Sequence, residues 1–208
     1  MAAETALPIP ITRLVIASTN PGKIREFRQL LSGLPLEIEA QPEGLEVEET
    51  GTTFTENARL KAIAVARHTG AWTLADDSGL SVDALGGAPG VFSARYASSD
   101  GARIERLLEE LALAQASLTT PNRAAHFASA LAVAQPNGSV HLEVEGRCDG
   151  VILDRPRGSG GFGYDPIFLD PETGLTYAEM DAARKGKVGH SGRAFAKLAP
   201  LLSNLVKA

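Results

Sequence analysis

Two adjacent carboxylates, Asp76 and Asp77, directly follow an apolar run at 72–75 that is typical of a buried strand. Neighbouring carboxylates repel each other and are costly to bury unless a cation or hydrogen bonds compensate them. A hard divalent cation such as Mg²⁺ binds a few carboxylates together with phosphate oxygens, and α/β sheets bind ligands where their strands end. The pair therefore predicts a metal-assisted phosphate site, and a helix N-cap role for one aspartate is the alternative.

A second chemical signal is Lys23, which ends a turn at 18–23. The turn follows an apolar run at 14–17 and precedes apolar residues at helical spacing, for which Asn20 suits the N-cap and Pro21 the first position. Backbone N–H groups at a helix N-terminus and a lysine in the first turn together form an anion site. The turn therefore predicts phosphate binding, although a lone lysine is more often only solvated.

Two better-known nucleotide motifs are excluded. A Walker A loop would need a glycine in place of Ala17 and Ser or Thr in place of Ile24. The glycine-rich stretch at 158–163 matches G-x-G-x-x-G, but Pro166 follows it closely and no helical period begins there. The sequence therefore predicts neither a P-loop nor a dinucleotide-binding Rossmann unit.

Apolar periodicity predicts the elements that position these residues. Thr53 and Glu56 are in capping-box register before an Ala-rich helix, on which Asn57 and Lys61 share one face. The segment at 136–138 predicts a hairpin turn. Strands are predicted at 14–17, 36–39, 72–75, 124–135 and 139–146, helices at 24–31, 55–67, 104–111 and 195–205, and polar loops at 158–163 and 176–193. This order predicts an α/β fold in which helices flank a mixed sheet.

Length and composition set the class of protein. The chain has 208 residues, 44% hydrophobic and 22% charged, which predicts a flexible leader at 1–13 and a single domain at 14–208. The formal net charge of -5 excludes the basic footprint of proteins that bind polymeric nucleic acid. Cys148 is the only cysteine, which favours a reducing, cytoplasmic compartment, and no run of about 18 apolar residues predicts a membrane span.

Five segments, taken together and in order, match one known family. They are Ser18-Thr19-Asn20-Pro21-Gly22-Lys23-Ile24-Arg25-Glu26-Phe27; Glu48-Glu49-Thr50-Gly51 with Phe54-Thr55-Glu56-Asn57-Ala58 and Lys61; Ala75-Asp76-Asp77-Ser78-Gly79-Leu80; Leu85-Gly86-Gly87-Ala88-Pro89-Gly90 with Ser93-Ala94-Arg95-Tyr96; and Gly160-Gly161-Phe162-Gly163-Tyr164-Asp165-Pro166. The chain therefore resembles the non-canonical purine nucleoside triphosphate pyrophosphatases, also called the inosine triphosphatase family.

The resemblance implies an elongated, two-lobed fold with a central cleft, a homodimer, and Mg²⁺-dependent hydrolysis of dITP, ITP and XTP to the monophosphate and pyrophosphate. By motif, Asp77 would be the catalytic carboxylate, Glu48 and Asp77 would bind the metal, and Phe162 would stack on the base. The substrate would contact Ser18, Thr19, Asn20, Pro21, Gly22, Lys23, Lys61, Ser78, Phe162, Gly163, Tyr164, Asp165, Lys185, His190 and Ser191.

The loop that would read the base departs from the family pattern. The family commonly has Ser-His-Arg-Gly where this chain has Gly-His-Ser-Gly at 189–192, so an arginine expected at the 6-oxo group is missing. We hypothesise that Arg193 replaces it. Two other functions are kept: a non-catalytic nucleotide-binding sensor, and a pyrimidine nucleoside triphosphate pyrophosphatase of the septum-inhibitor type, whose Ser-Pro-Arg-Arg pattern is absent here.

Overall fold

The computed structural model describes residues 11–116 and 119–206, and a seven-stranded sheet lies at its centre. The strands are β1 (Arg13–Ala17), β2 (Glu37–Ala40), β3 (Trp72–Val82), β4 (Ala124–Ala134), β5 (Val140–Ile152), β6 (Phe168–Asp170) and β7 (Leu175–Thr176). Their order is β2-β1-β3-β4-β5-β6-β7, with β1 parallel to β2 and β3 and all other neighbours antiparallel. The predicted mixed α/β sheet is confirmed.

The helices begin at the local signals that the sequence carries. They are α1 (Pro21–Leu31), α2 (Phe54–Thr69), α3 (Asp100–Ala116), α4 (Ala182–Val188) and α5 (His190–Val206). Asn20 caps α1, because its side chain accepts hydrogen bonds from the N–H groups of Gly22 and Lys23. Thr53 and Glu56 form the predicted capping box at α2. Both caps satisfy N–H groups that have no partner inside the helix.

Different helices cover the two faces of the sheet. α2 packs on one face through small side chains, since Ala58, Ala62 and Ala66 let it approach the alanines of β3 and β4. α1 and α5 cover the other face with larger apolar side chains, among them Phe27 and Leu198. Because successive strand residues point to opposite faces, neighbours along β3 contact different helices.

A second hydrophobic core packs against the half of the sheet that contains the distal parts of β3 to β6. α3 and the distal parts of β3 to β6 bury Leu80, Leu107, Phe127 and Phe168 in one cluster together with Tyr177. The three long strands β3, β4 and β5 contribute side chains to both cores. We call the part of the chain around this cluster the second lobe, and the part around α1, α2 and α5 the first lobe. Continuous strands therefore join the two lobes that the family resemblance implies.

β3 is longer than its apolar run. The run ends at Ala75, yet the strand continues to Val82 because β4 pairs with it along its length. The parallel neighbour β1 ends at Ala17, opposite Ala75. Asp76 and Asp77 therefore lie inside a strand, on an edge that β1 leaves open, and the helix-cap alternative for either of them is wrong.

The segment at 176–193, predicted as a polar loop, contains much regular structure. It includes a 3₁₀ turn at Tyr177–Glu179, all of α4 and the first turn of α5, which begins at His190. Asp181 starts α4 by accepting a hydrogen bond from the Arg184 N–H at 2.7 Å. The prediction of a loop was wrong here because a local cap and tertiary packing formed helices from a polar sequence.

Part of the predicted leader belongs to the packed chain. Residues 1–10, like 117–118 and 207–208, lie outside the described residues. Ile11 is buried, and its N–H donates to the carbonyl of Leu205 in α5 at 3.4 Å. Packing therefore begins before Leu14. Within the ranges that the structure describes, no helix is long and apolar enough to cross a membrane.

The contact between α5 and β5 depends on a glycine. A Cβ at Gly146 would lie 2.2 Å from both the Ala194 N and the His190 O of α5. We expect Gly146→Ala to lower the free energy of unfolding by roughly 1 to 3 kcal/mol, as overpacking does. Gly101→Ala is the control, because a Cβ there meets nothing within 4 Å and alanine favours the helix. Urea unfolding checks both, and equal stability of the two variants would contradict the prediction.

Candidate active site

A cleft of about 460 Å³ opens over the edge of β3 that β1 leaves free. Its walls come from the turn after β1, the acidic loop before α2, the middle of β3 and a 3₁₀ segment, Gly90–Arg95. Its polar lining consists of Ser18, Thr19, Asn20, Lys23, Gln41, Glu46, Glu49, Lys61, Asp76, Asp77, Ser78 and Arg95. The end of a parallel strand is the usual ligand position in α/β sheets, and the cleft has this location.

Asp76 and Lys23 form a buried ion pair on the α1 face of the sheet. Lys23 Nζ donates to Asp76 Oδ2 and, at 3.1 Å, to Ser78 Oγ. The other oxygen of Asp76 accepts a hydrogen bond from Ser129 Oγ at 2.7 Å. Burial disfavours both charges, but their mutual attraction outweighs it, so the pKa of Asp76 is lowered and the pKa of Lys23 is raised. The pair remains charged across the neutral range.

Asp77 points to the opposite face, toward α2. Lys61 Nζ lies 3.2 Å from Asp77 Oδ1 and 2.7 Å from Glu49 Oε1, so two carboxylates converge on one ammonium group. Among the described residues, the buried Asp77 Oδ2 has no hydrogen-bond partner. Burial raises the pKa of Asp77, and repulsion from Glu49 and Asp76 adds to it, although Lys61 opposes the shift. Asp77 is therefore a stronger base than an exposed aspartate.

Glu49, rather than Glu48, faces the cleft. Glu49 contacts Lys61 and accepts a hydrogen bond from Arg95 Nη1 at 2.5 Å, whereas Glu48 is exposed and does not line the cleft. Burial acts to raise the pKa of Glu49, but Lys61 and Arg95 outweigh it and lower the pKa. The structure does not bring Glu48 to Asp77, because its neighbours Val47 and Glu49 turn inward while Glu48 turns to solvent.

The predicted phosphate turn is closed by its own side chains. Asn20 Oδ1 accepts from the N–H groups of Gly22 and Lys23, and the Asn20 N–H donates to Ser18 Oγ at 3.1 Å. Ser18, Thr19, Asn20 and Lys23 line the cleft, while Pro21 and Gly22 form the first turn of α1 outside that lining. The positive charge of this turn therefore comes from the Lys23 side chain, and its capped N–H groups add little.

A second group of predicted residues forms a surface suited to a base. Phe162 exposes 59% of its area, and Lys185 Nζ lies 4.7 Å from the centre of its ring. Lys185 also pairs with the buried Asp165, whose carboxylate accepts a hydrogen bond from the Phe162 N–H at 2.9 Å. An exposed ring held beside a cation and a carboxylate offers a stacking surface with polar groups at its side.

The Phe162 loop is held to the second lobe by its neighbours. Tyr164 is buried, and its hydroxyl donates to the Ser93 carbonyl at 3.0 Å. The Gly163 N–H donates to Asp100 Oδ2 at 2.7 Å. The Tyr164 side chain is therefore part of the core, and a contact between Tyr164 and a substrate would come from its backbone.

His190 is packed against aromatic rings and does not lie in an exposed loop. Its ring stacks on Phe127 with a centroid distance of 4.8 Å and is nearly parallel to Tyr177 at 6.2 Å. Burial lowers the pKa of His190 to about 3, so the imidazole is neutral at physiological pH. A neutral imidazole has one donor and one acceptor nitrogen, which is the form suited to reading a base edge.

Arg193, which we hypothesised to replace the arginine missing from the base loop, contacts β5. Its Nη1 donates to the Arg147 carbonyl on β5 at 3.2 Å. Ser191 follows His190 in the first turn of α5, in the position of the missing arginine. The contact with β5 does not support the hypothesis that Arg193 replaces this arginine.

A family model described as the Ham1 family matches residues 14–201. The chain belongs to the Ham1 family. A dITP/XTP pyrophosphatase of Parasynechococcus marenigrum is 62% identical over 195 residues, which cover 94% of this chain and 97% of the relative. One from Prochlorococcus marinus is 60% identical over 193 residues, 93% of this chain and 92% of the relative. The resemblance found from the motifs is confirmed.

Solved structures of the Ham1 family share this fold. A HAM1 protein from Coxiella burnetii superimposes with a TM-score of 0.86 at 40% identity and covers 93% of this chain and all of that one. A nucleoside-triphosphatase, dITP/XTP pyrophosphatase, from Mycobacterium abscessus gives a TM-score of 0.73 at 41% identity over 91% of this chain and all of that one. The mixed sheet flanked by helices is therefore a feature of the family.

The carboxylates of this Ham1-family cleft fit a magnesium ion. Asp77 and Glu49 already surround a cationic atom, Lys61 Nζ, and Asp77 Oδ2 is buried without a partner among the described residues. No cluster of three or more His, Cys, Asp or Glu side chains suited to a metal occurs in the described part of the chain. A site with few protein ligands suits Mg²⁺, which keeps waters and takes phosphate oxygens.

Three residues of the site received no role from the sequence. Glu49 and Arg95 stand within the recognised motifs, but an irregular loop has no periodicity that tells which side chain turns inward. Glu26 of α1 is the third: burial raises its pKa, and Asp76 adds to this effect, while Lys185 opposes it. Lys23 also opposes the rise, so Glu26 is influenced by charges of both predicted groups of site residues.

Replacing each of the two neighbouring aspartates by asparagine should affect the stability of the protein differently. Asp76→Asn leaves Lys23 without its buried partner, and we expect this variant to be less stable by roughly 3 kcal/mol. This value is at the low end of the range for a broken buried ion pair, because the Lys23 side chain is 22% exposed. Asp77→Asn should leave stability unchanged or raise it, because the raised pKa means that folding disfavours the ionised form above the ordinary aspartate pKa.

Urea unfolding at pH 7 in the presence of a metal chelator measures both variants. Because the pKa of Asp76 is lowered, the stability that it contributes is lost as the pH falls through its folded-state pKa, and Asp76→Asn should reduce the acid sensitivity of unfolding. Equal losses in the two variants at pH 7 would contradict this assignment of roles.

Proposed function

We propose that this chain hydrolyses the non-canonical purine nucleoside triphosphates dITP, ITP and XTP to the nucleoside monophosphate and pyrophosphate. The observation that carries the proposal is Asp77, a buried carboxylate of raised pKa whose Oδ2 has no hydrogen-bond partner among the described residues, in a cleft lined by Lys23 and Lys61. Membership of the Ham1 family and 62% identity to a dITP/XTP pyrophosphatase support this substrate class. The reaction would remove damaged purines from the nucleotide pool.

The metal is proposed to be Mg²⁺, held by Asp77 and Glu49. Both carboxylates border the same point in the cleft, and this favours Glu49 over the Glu48 expected from the motif. When bound, the ion would neutralise phosphate charge and bring the triphosphate to the carboxylates.

The residues of the chain divide the remaining chemistry. Asp77 accepts the proton of a water molecule that attacks the α-phosphorus, and its raised pKa suits this role. The bond between the α-phosphorus and the bridging oxygen breaks, and pyrophosphate leaves. Lys61 and Lys23, on opposite faces of β3, stabilise the charge that moves onto the leaving oxygens. Ser78 holds Lys23 in place through the hydrogen bond to its Nζ.

Base selection is proposed for the second group of residues. Phe162 stacks on the purine, Lys185 and Asp165 lie at the side of the ring, and the neutral His190 reads its edge. A 6-amino purine would leave polar groups of such a pocket unpaired, which costs roughly 1 to 3 kcal/mol per buried group. Gly163 fixes the loop through Asp100, and Ser191 contacts the substrate in place of the absent arginine.

The setting of the enzyme is also a proposal. We propose one catalytic domain at 14–208, a homodimer, and a reducing, cytoplasmic compartment. The dimer is supported by the family resemblance. The compartment is supported by the single cysteine, Cys148, which is buried and unpaired. Sedimentation equilibrium would separate monomer from dimer.

A pyrophosphate-release assay tests the reaction. We expect turnover of dITP, ITP and XTP with Mg²⁺, little turnover of dATP, dGTP or dTTP, and loss of at least about 10³-fold in Asp77→Asn, because the base is removed. A sensor would instead gain thermal stability with nucleotide and release no pyrophosphate. Preferential turnover of dTTP would favour the pyrimidine alternative.

Metal binding separates Glu49 from Glu48. We expect Glu49→Gln to weaken Mn²⁺ binding, measured by calorimetry, at least about tenfold, and the matched Glu48→Gln to change it less than about twofold. The reason is that Glu49 lines the cleft and Glu48 is exposed. A larger loss of Mn²⁺ affinity in Glu48→Gln than in Glu49→Gln would assign the metal to Glu48, and it would not contradict the proposed reaction.

A further inference from the structure

We propose that Arg95 is a phosphate-binding residue of the cleft, and that Glu49 neutralises it until metal and triphosphate arrive. This inference deepens the proposed function and rests on it. Arg95 lines the cleft, exposes 51% of its side chain and forms its ion pair with Glu49. A guanidinium group binds phosphate oxygens in a bidentate manner, which suits the leaving pyrophosphate.

The backbone that carries Arg95 is fixed in place. Ser93 Oγ accepts from the Leu80 N–H of β3 at 2.9 Å and donates to the Gly90 carbonyl at 2.6 Å. A Cβ at Gly79 would lie 2.4 Å from Ser93 Oγ, so the glycine lets the 3₁₀ segment pack directly on the strand. Arg95 therefore reaches the cleft from a rigid wall of the second lobe, and the charge is presented without a large ordering cost.

The three cations of the cleft differ in how firmly they are bound. Lys23 belongs to a pair in which the Asp76 side chain is 4% exposed, and its charge holds that buried carboxylate. Lys61 exposes 15% of its side chain and is shared between Asp77 and Glu49, whereas Arg95 exposes 51% of its side chain and has Glu49 as its partner. Solvent around an exposed cation weakens its ion pair, so the exposed Arg95 gives up its partner more easily than the two lysines do. Arg95 is thus the cation that an incoming anion captures at the lowest cost.

The shared partner couples the cations to the metal. Glu49 Oε1 lies 2.7 Å from Lys61 Nζ, and Glu49 Oε2 lies 2.5 Å from Arg95 Nη1. If Glu49 turns to a divalent cation, both side chains lose a negative partner inside a confined cleft. Arg95 is then unpaired and Lys61 keeps only Asp77, which raises the local potential for a polyanion, so metal binding should increase the affinity for phosphate groups. Glu49 would then act as a ligand and as a removable counter-ion.

The competing explanation is that Arg95 only fastens the acidic loop to the second lobe. In that case its loss would lower the melting temperature and leave anion affinity unchanged. Arg59 offers a matched control, because it is 47% exposed and paired with Glu143 at 2.8 Å but does not line the cleft.

The experiment measures binding of inorganic pyrophosphate by calorimetry, with Mg²⁺ and with a chelator, to wild type, Arg95→Gln, Arg95→Lys and Arg59→Gln. With Mg²⁺ we expect Arg95→Gln to bind pyrophosphate about tenfold more weakly than wild type, because one charge-assisted contact is lost. Arg95→Lys should recover part of this affinity. Arg59→Gln should bind pyrophosphate as wild type does. Unchanged affinity in folded Arg95→Gln would overturn the proposal; should that variant not fold, equal affinity of Arg95→Lys and wild type would do so.

Glu49→Gln tests the counter-ion role in the chelator arm. Without the Glu49 carboxylate, Arg95 loses its ion-pair partner and Lys61 keeps only Asp77. This variant should therefore bind metal-free pyrophosphate about tenfold more tightly than wild type. The gain should disappear in the double variant with Arg95→Gln. A Glu49→Gln protein with no gain would refute the counter-ion role. These readouts do not require turnover, so a wild type that hydrolyses no dITP would refute the proposed function separately.

Discussion

The site depends on one constraint, which is that β3 continues where its parallel neighbour β1 stops. β4 supplies the hydrogen bonds that keep β3 extended through Asp76 and Asp77, while the end of β1 at Ala17 leaves the other edge open. Because strand residues alternate, the two aspartates face different helices and meet different lysines. A single stretch of strand thus provides a charged anchor on one face and a carboxylate of raised pKa on the other.

Ion pairs organise the site before any ligand is present. Lys23 pairs with Asp76, Lys185 with Asp165, and Lys61 with Asp77 and Glu49. Each pair positions a side chain whose charge a triphosphate or a metal can use, and each spares the free protein an isolated charge in a partly buried place. Ligand binding is therefore an exchange of partners within a preset arrangement.

The two lobes contribute different parts of the chemistry. The first lobe supplies the lysines and the aspartates from α1, α2 and β3, and the second supplies Arg95 and Phe162 from segments fastened by Ser93, Tyr164 and Asp100. Because β3, β4 and β5 run through both cores, the lobes hold a fixed relation across the cleft. Under the proposed function, this continuity would keep the lysines of the first lobe and Arg95 and Phe162 of the second in place around one nucleotide.

Local interactions explain what the sequence by itself determined. The α/β class, the cap at Asn20, the capping box at Thr53 and the hairpin at 136–138 arise from contacts between residues close in the chain, so periodicity and turn chemistry reveal them. The family motifs likewise marked Asp77, Lys23 and Lys61, which line the cleft. Only the tertiary structure decided the choice of Glu49 over Glu48, the helical place of His190 and the burial of Tyr164. Each of these outcomes depends on which side chains from distant parts of the chain surround the residue. The residues next to it in the sequence do not indicate which side chains those are.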